Sequence, residues 1–162
     1  MSTLPPRLDY ADFAKAASAS HAALLALGQS VDESGLEKTL IELVKLRASQ
    51  INGCAFCVQF HIDIARKIGL PQEKLDLVAA WQDAGIFSER EAAALAWAET
   101  LTKVSHKPVS DAAYAVVLQH FSKTEIAFLT VAIAAINSWN RISVAFRFAP
   151  VILQKSATMN VA

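Results

Sequence analysis

The hydrophobic positions of this 162-residue chain recur every three or four residues over nearly its whole length. This spacing puts apolar side chains on one face of a helix, and it is typical of amphipathic helices that pack around a shared core. No stretch alternates apolar and polar residues as a half-buried strand does. The pattern predicts an all-α fold in a single domain over residues 1–162, with its core at about 9–147. About seven helices are expected, near residues 9–27, 35–50, 53–68, 71–83, 89–104, 111–120 and 123–147.

The helix starts and stops carry recognisable signals. In a capping box, Ser-x-x-Glu, the serine and glutamate side chains accept hydrogen bonds from the free backbone N–H groups of the first turn. The motif occurs at three expected starts, Ser34/Glu37, Ser88/Glu91 and Ser122/Glu125. Helix ends are predicted where glycine or proline follows the last apolar position, at Gly69 with Pro71, at Gly85 and at Pro108.

The two ends of the chain are expected to be extended rather than helical. Disorder is one interpretation of both ends, and packing of the apolar residues 151–153 on a neighbouring subunit is the other interpretation of the tail. Charged residues precede any apolar stretch at the N-terminus, which argues against a signal peptide. The longest apolar run, residues 126–136, is shorter than the about 20 residues of a transmembrane helix. We therefore expect a cytoplasmic protein with no membrane partner, whose thiols stay reduced.

Composition narrows the range of partners. Apolar residues make up 54% of the chain and charged residues 19%, and the formal net charge is zero. Because a lone small domain seldom needs so much apolar surface, we expect a homo-oligomer that hides part of it. The lack of any basic cluster argues against nucleic acid as a partner, since phosphate binding requires a positively charged face.

The two cysteines of the chain form one C-x-x-C pair, Cys54 and Cys57, and His61 follows four residues later. On a helix these three positions share one stripe. The turn signal Asn52-Gly53 stands directly ahead, so the pair should open a helix, where free N–H groups favour a thiolate. The spacing also allows a disulfide across one turn. This constellation predicts thiol redox chemistry.

Two questions remain open, one about the cysteines with His61 and one about Glu42. Cys54, Cys57 and His61 could ligate zinc, although a structural zinc site usually draws ligands from two separate segments. Glu42, in an apolar helix twelve residues before Cys54, could be a solvated glutamate paired with a neighbouring lysine. If Glu42 is instead buried, it requires a partner such as a proton-sharing histidine or cysteine.

A shift of 85 positions aligns Lys38-Thr39-x-Ile41 with Lys123-Thr124-x-Ile126, and Ile51-Asn52 with Ile136-Asn137. Five identities in fifteen positions can arise either by chance or by internal duplication. If the chain is duplicated, the second copy has lost the chemistry. Ala127, Trp139, Ile142 and Phe146 stand where the first copy has Glu42, Cys54, Cys57 and His61.

The run Glu42-Leu-Val-Lys-Leu-Arg-Ala-Ser-Gln-Ile-Asn-Gly-Cys54-Ala-Phe-Cys57-Val-Gln-Phe-His61 resembles the signature of the AhpD-like alkylhydroperoxidases, within the carboxymuconolactone decarboxylase family. Residues 87–99 and 135–141 are similar to that family as well, and the resemblance covers about residues 9–147. It implies an all-helical AhpD-like domain that forms homotrimers or homohexamers. It also implies an antioxidant oxidoreductase that reduces hydroperoxides with a dithiol reductant and without metal or cofactor.

The resemblance further implies that Glu42, Cys54, Cys57 and His61 form the catalytic proton relay. The best-known members carry a second histidine between the cysteines, where this chain has Phe56. The helix-start argument favours Cys54 as the more acidic thiol, whereas proximity to a base favours Cys57. Because the family assigns the sulfenic acid to the second cysteine, we expect Cys57 to attack the peroxide and Cys54 to resolve it. A non-catalytic redox sensor or zinc-binding protein, and a decarboxylase-like enzyme, are the alternatives.

Overall fold

The computed structural model describes residues 5–150, so the apolar tail at 151–153 lies outside the described residues. Within that range the chain forms α-helices and no strand, which confirms the all-α prediction. The helices are α1 (Tyr10–Ala16), α2 (Ser18–Asp32), α3 (Lys38–Ile51), α4 (Ala55–Lys67), α5 (Gln72–Leu77), α6 (Trp81–Ala84), α7 (Glu89–Thr102), α8 (Asp111–Leu118) and α9 (Lys123–Phe146). A 3-10 turn, Val78–Ala80, joins α5 to α6.

Two of the seven predicted segments are subdivided. The segment at 9–27 breaks at Ala17, whose backbone leaves the helical region at φ −121° and ψ 46°. Its second part, α2, runs through Gly28 to Asp32, because a glycine inside a helix lowers its stability without ending it. The segment at 71–83 divides at the 3-10 turn.

The capping boxes form at two of the three predicted places. At the starts of α7 and α9, the Ser88 and Ser122 hydroxyls accept the N–H of Glu91 and Glu125, and each carboxylate accepts the serine N–H in return.

The third predicted box is wrong. Residue Glu37, not Ser34, stands at the cap position of α3 and makes no side-chain cap. The Ser34 hydroxyl instead donates to the Val31 carbonyl at 2.6 Å. The Glu37 carboxylate accepts a hydrogen bond at 2.9 Å from Arg90 on α7. The Glu37 carboxylate therefore forms an ion pair with Arg90 and does not complete a capping box with Ser34.

Helix α3 lies at the centre of the fold and packs against α4, α7 and α9. Its Ile41 and Val44 contact one core cluster with α7 and α9, and its Leu43 and Leu46 contact a second cluster with α4 and α5. These four side chains are 0–2% exposed. Each such side chain contributes about 1.5–3 kcal/mol by its removal from water. Because both sides of α3 are covered, a charged residue in its middle must find its partners inside the protein.

No single helix within residues 5–150 is both long and apolar enough to cross a membrane. In that part of the chain α8 and α9 meet the length and composition only as a pair, and the two are bent by 116°.

Candidate active site

The site is built on the turn between α3 and α4. Residue Gly53 has φ +66°, a left-handed conformation that glycine adopts without a Cβ penalty. The turn lets α4 begin at Ala55, with Cys54 as its cap residue, so the cysteine pair opens a helix as predicted. The Cys54 sulfur accepts the backbone N–H of Cys57 at 3.3 Å. The helix start thus supplies a donor to one of the two thiols.

The two cysteines are free thiols in contact with each other. Their sulfurs lie 2.7 Å apart, and the residues are 2% and 3% exposed. A cavity of about 680 Å³ opens beside them, and Cys57 lines it whereas Cys54 does not. A small molecule in the cavity therefore meets Cys57 first, with Cys54 behind it.

Because of this contact, the two thiols have different pKa values. The hydrogen bond from the Cys57 thiol, with further donors from the Cys57 backbone N–H, Ser143 and Asn140, lowers the pKa of Cys54 to about 7 in spite of burial. The same hydrogen bond to Cys54, together with burial, raises the pKa of Cys57. This difference agrees with the helix-start argument, which favours Cys54 as the more acidic thiol. Cys54 is the more acidic thiol, whereas Cys57 is the thiol that a molecule in the cavity can reach.

A buried acid–base pair faces the same cavity. The Nδ1–H group of His61 on α4 donates to the Glu42 Oε2 atom at 2.7 Å, and Lys45 donates to Oε1 at 3.2 Å. The Glu42 and His61 residues are 5% and 7% exposed. Burial would raise the pKa of Glu42, but His61 and Lys45 together bring it below the ordinary value. The solvated-glutamate interpretation of Glu42 is thus wrong, and the buried alternative is the one observed.

This arrangement also fixes the chemistry of the imidazole. Because the Glu42 carboxylate accepts the Nδ1 proton, Nε2 is the ring nitrogen left to exchange a proton with a reactant. A carboxylate that orients a histidine beside a thiol is the general pattern of an activated nucleophile.

Aromatic rings form one wall of the cavity. Phe56 stacks on Tyr10 with centroids 5.7 Å apart and on Phe60 at 6.2 Å, and Trp139 completes the wall. Phe56 stands where the resemblance places a second histidine, so in this chain that position packs instead of exchanging protons. The other lining side chains include Leu24, Leu25, Ile64, Ile68, Ile136, Glu42, Lys45, Cys57, His61 and Ser143.

Helix α9 adds polar groups that sequence reasoning missed. The Ser143 hydroxyl lies 3.5 Å from the Cys57 sulfur. One turn earlier, Asn140 donates to Ser49 at 3.1 Å and accepts from Asn52 at 2.8 Å. The signal that could have found these residues is the recurrence of small polar side chains every three positions along one face of the helix, at 137, 140 and 143.

The geometry does not favour the zinc interpretation. Among residues 5–150 no group of three or more His, Cys, Asp or Glu side chains is arranged to hold a metal ion. The thiols meet the α9 polar groups, whereas His61 is held by Glu42.

Residues 10–100 match the model of the carboxymuconolactone decarboxylase family. The uncharacterised protein YdfG of Bacillus subtilis is 40% identical over 113 residues, which cover 70% of this chain and 77% of that protein. The chain belongs to the carboxymuconolactone decarboxylase family and has its AhpD-like helical fold.

Solved structures agree on the fold. A protein of unknown function from Agrobacterium tumefaciens, provisionally named as the antioxidant defence protein AhpD, is 42% identical with a TM-score of 0.85. The match covers 90% of this chain and 98% of that one. The debrominase Bmp8, solved with 2,3,4-tribromopyrrole, matches at 17% identity and a TM-score of 0.74 over 92% of both chains. At that identity the likeness concerns the fold alone.

Proposed function

We propose that this protein is a thiol-dependent peroxidase that reduces organic hydroperoxides through Cys54 and Cys57 in an antioxidant role. The observation that carries the proposal is the pair of free thiols in contact at the start of α4, one of which lines an apolar cavity beside the Glu42–His61 pair. Each part of this arrangement corresponds to one step of a peroxidase cycle.

The first step is attack by Cys57, the thiol that the cavity exposes. The proton on Cys57 passes across the 2.7 Å sulfur contact to the Cys54 thiolate. The Cys57 thiolate then forms an S–O bond to the terminal peroxide oxygen, and the O–O bond breaks. The departing alkoxide leaves as an alcohol once it takes a proton. We assign the delivery of that proton to Nε2 of His61, which takes it up from solvent while the Nδ1–H group stays on Glu42, because this pair orients the ring beside the cavity.

The second step resolves the sulfenic acid. Cys54 loses its proton again and attacks the sulfur of oxidised Cys57, so that a disulfide forms and water leaves. A pKa of about 7 suits this role, since a nucleophilic thiol works best with a pKa near the ambient pH.

The third step restores both thiols. An external dithiol attacks the disulfide at Cys57, the sulfur that lines the cavity, and Cys54 departs as a thiolate. A thiol of low pKa is the better leaving group, so the acidity of Cys54 serves this half of the cycle as well. A cycle that ends with dithiol reduction requires a reducing compartment, which is the basis for proposing a cytoplasmic location.

Steady-state turnover tests this function. The purified protein is given cumene hydroperoxide and dithiothreitol, and peroxide loss is measured against protein whose thiols are alkylated beforehand. A peroxidase consumes many equivalents of peroxide per chain, much faster than dithiothreitol alone. A redox sensor that reacts slowly with peroxide adds little to the control rate even though dithiothreitol reduces its disulfide. A decarboxylase-like enzyme consumes none beyond the control. Either of the last two results contradicts the proposal.

We also propose that the chain assembles into a homotrimer or homohexamer. Large apolar side chains remain exposed on α2, α4 and α5 and in the segments after α4 and α6, among them Leu25, Phe60, Ile68, Leu77 and Ile86, at 37–51% exposure. Contact with further copies would remove this surface from water. Light scattering at micromolar concentration should return the mass of three or six chains, and a stable monomer would contradict the assembly.

A further inference from the structure

The side chain of Ser143 contacts the reactive sulfur but takes no part in the steps above. Its hydroxyl lies 3.5 Å from the Cys57 sulfur, its residue is 2% exposed, and it lines the same cavity as Cys57. The hydroxyl of this buried serine therefore faces the Cys57 sulfur, on which negative charge must develop before it attacks the peroxide.

The position of Ser143 is fixed by its neighbours on α9. Asn140, one turn earlier and 1% exposed, donates to Ser49 in the last turn of α3 and accepts from Asn52 in the turn ahead of Cys54. Asn52 also donates to Asn137 at 3.0 Å. These bonds lock α9 to the segment that carries the thiols. Ser143 therefore meets Cys57 in a geometry that the fold sets in advance.

The two sulfurs share the side-chain donors of α9, Ser143 and Asn140, and differ in their backbone donors. The Cys54 sulfur receives the backbone N–H of Cys57, the donor that the helix start supplies. The Cys57 sulfur lies in the first turn of α4, and within residues 5–150 it receives no backbone N–H; its contacts are the Cys54 sulfur and the Ser143 hydroxyl. Negative charge on a buried sulfur without a donor carries a large desolvation penalty. A side-chain hydroxyl is the group that can replace the missing backbone donor.

We propose that Ser143 is a catalytic residue, whose hydroxyl donates a hydrogen bond to the Cys57 sulfur while negative charge moves onto it from Cys54. This inference rests on the proposed function, and it explains how the less acidic thiol can be the one that reacts. Ser143 also opposes the effects of burial and of Cys54 on the pKa of Cys57, because its hydrogen bond lowers that pKa.

The test isolates Cys57 by using Cys54→Ser as the parent and measures the pH dependence of Cys57 alkylation by iodoacetamide. Adding Ser143→Ala should raise the thiolate pKa by about one to two units and slow alkylation at neutral pH about 10- to 100-fold, the value of one hydrogen bond to a charged group. Ser143→Thr retains the hydroxyl and should restore much of the rate.

The matched control is Ser138→Ala on the same helix, whose hydroxyl donates to the Ala134 carbonyl. It should leave the alkylation profile unchanged. An unchanged pKa in the Ser143→Ala protein would overturn the role of Ser143. Alkylation involves no peroxide, so a shifted pKa without peroxide turnover in the wild-type protein would leave the donor role standing and remove the peroxidase function.

Discussion

The segment formed by α3, its turn and α4 can be compared with α9, the stretch that a shift of 85 positions aligns with it. In the first segment Gly53 turns the chain at φ +66°, and a new helix begins with a cysteine as its cap. In α9 the aligned residue is Ser138, and the helix continues without a break from Lys123 to Phe146. The aligned asparagines Asn52 and Asn137 hydrogen-bond to each other at 3.0 Å.

The difference shows what a break in a helix provides for chemistry. A helix start supplies free N–H groups, which lower the pKa of a thiol placed there, whereas a continuous helix has none to offer in its middle. Accordingly the first segment carries Cys54, Cys57 and His61. The unbroken α9 contributes side-chain donors from Asn140 and Ser143 instead.

The largest effect is expected from removing the chemistry of the first segment. Cys57→Ser should reduce peroxide turnover with dithiothreitol to the uncatalysed rate, because it removes the attacking sulfur. Cys54→Ser should slow turnover strongly, because the sulfenic acid on Cys57 must then wait for dithiothreitol in place of the resolving sulfur. Stoichiometric peroxide should convert the wild-type protein into an intramolecular disulfide, seen by mass spectrometry. Independent overoxidation of both cysteines, with no disulfide, would contradict the resolving role of Cys54.

Replacement of the acid–base pair should be the next largest effect. Glu42→Gln and His61→Gln keep size and polarity, so the domain should remain folded while peroxide reduction slows by about 10²–10⁴-fold, the usual range for general acid–base assistance. The exposed His106, replaced in the same way, is the control and should change nothing. If both variants keep the wild-type rate and only melt at a lower temperature, the pair is structural.

The acidity of Cys54 should appear as a pH dependence of stability. Its pKa is lowered to about 7 in the folded protein, so between about pH 7 and 9 the folded state binds fewer protons than the unfolded state. The free energy of unfolding should therefore rise by roughly 1–2 kcal/mol as the pH increases from 7 to 9. Below pH 7 Cys54 is protonated in both states and no longer contributes to stability. Above about pH 9 the free energy of unfolding should decline, because Cys57 retains its proton only when folded.

Urea denaturation at several pH values measures this dependence, and Cys54→Ser should flatten the rise. A stability that is already flat in the wild-type protein between pH 7 and 9 would mean that Cys54 has an ordinary pKa.

The smallest effect is expected from the turn itself. Gly53→Ala places a Cβ on a left-handed backbone and should lower the free energy of unfolding by about 1 kcal/mol or more. Gly28 is the matched control, because it lies inside α2 without a positive φ, and a Cβ added there would meet no atom within 4 Å. Gly28→Ala should raise stability by about 0.5–1 kcal/mol. Equal effects of the two substitutions, by thermal unfolding, would remove the special role of the turn.

The fold could be predicted from local signals wherever those signals act alone. Periodicity placed every helix segment, and the capping boxes at Ser88 and Ser122 formed. The break at Ala17 carries no glycine or proline, so no local signal marks it. The box at Ser34 failed because Arg90, 53 residues beyond Glu37, takes its carboxylate. Such long-range competition cannot be read from a short motif.

The candidate site likewise combines features that follow from local sequence with features that depend on the packing of distant helices. The helix start at Cys54 and the need of a buried Glu42 for a partner follow from the sequence. The unequal acidity of the two cysteines depends on a sulfur contact and on donors from α9, which lies more than 80 residues away. The aromatic wall at Phe56 likewise joins α4 to Tyr10 of α1. These features exist only once the helices have packed.

The central claim is that Cys57 is the sulfur that peroxide oxidises although Cys54 is the more acidic thiol. Sulfenic acid trapping with dimedone tests it most directly, in Cys54→Ser and Cys57→Ser proteins treated with one equivalent of cumene hydroperoxide. Peptide mass spectrometry should find the adduct on Cys57 in the Cys54→Ser protein and little or none on Cys54 in the other variant. An adduct on Cys54 with an unreactive Cys57 would show that acidity, and not access to the cavity, selects the attacking thiol.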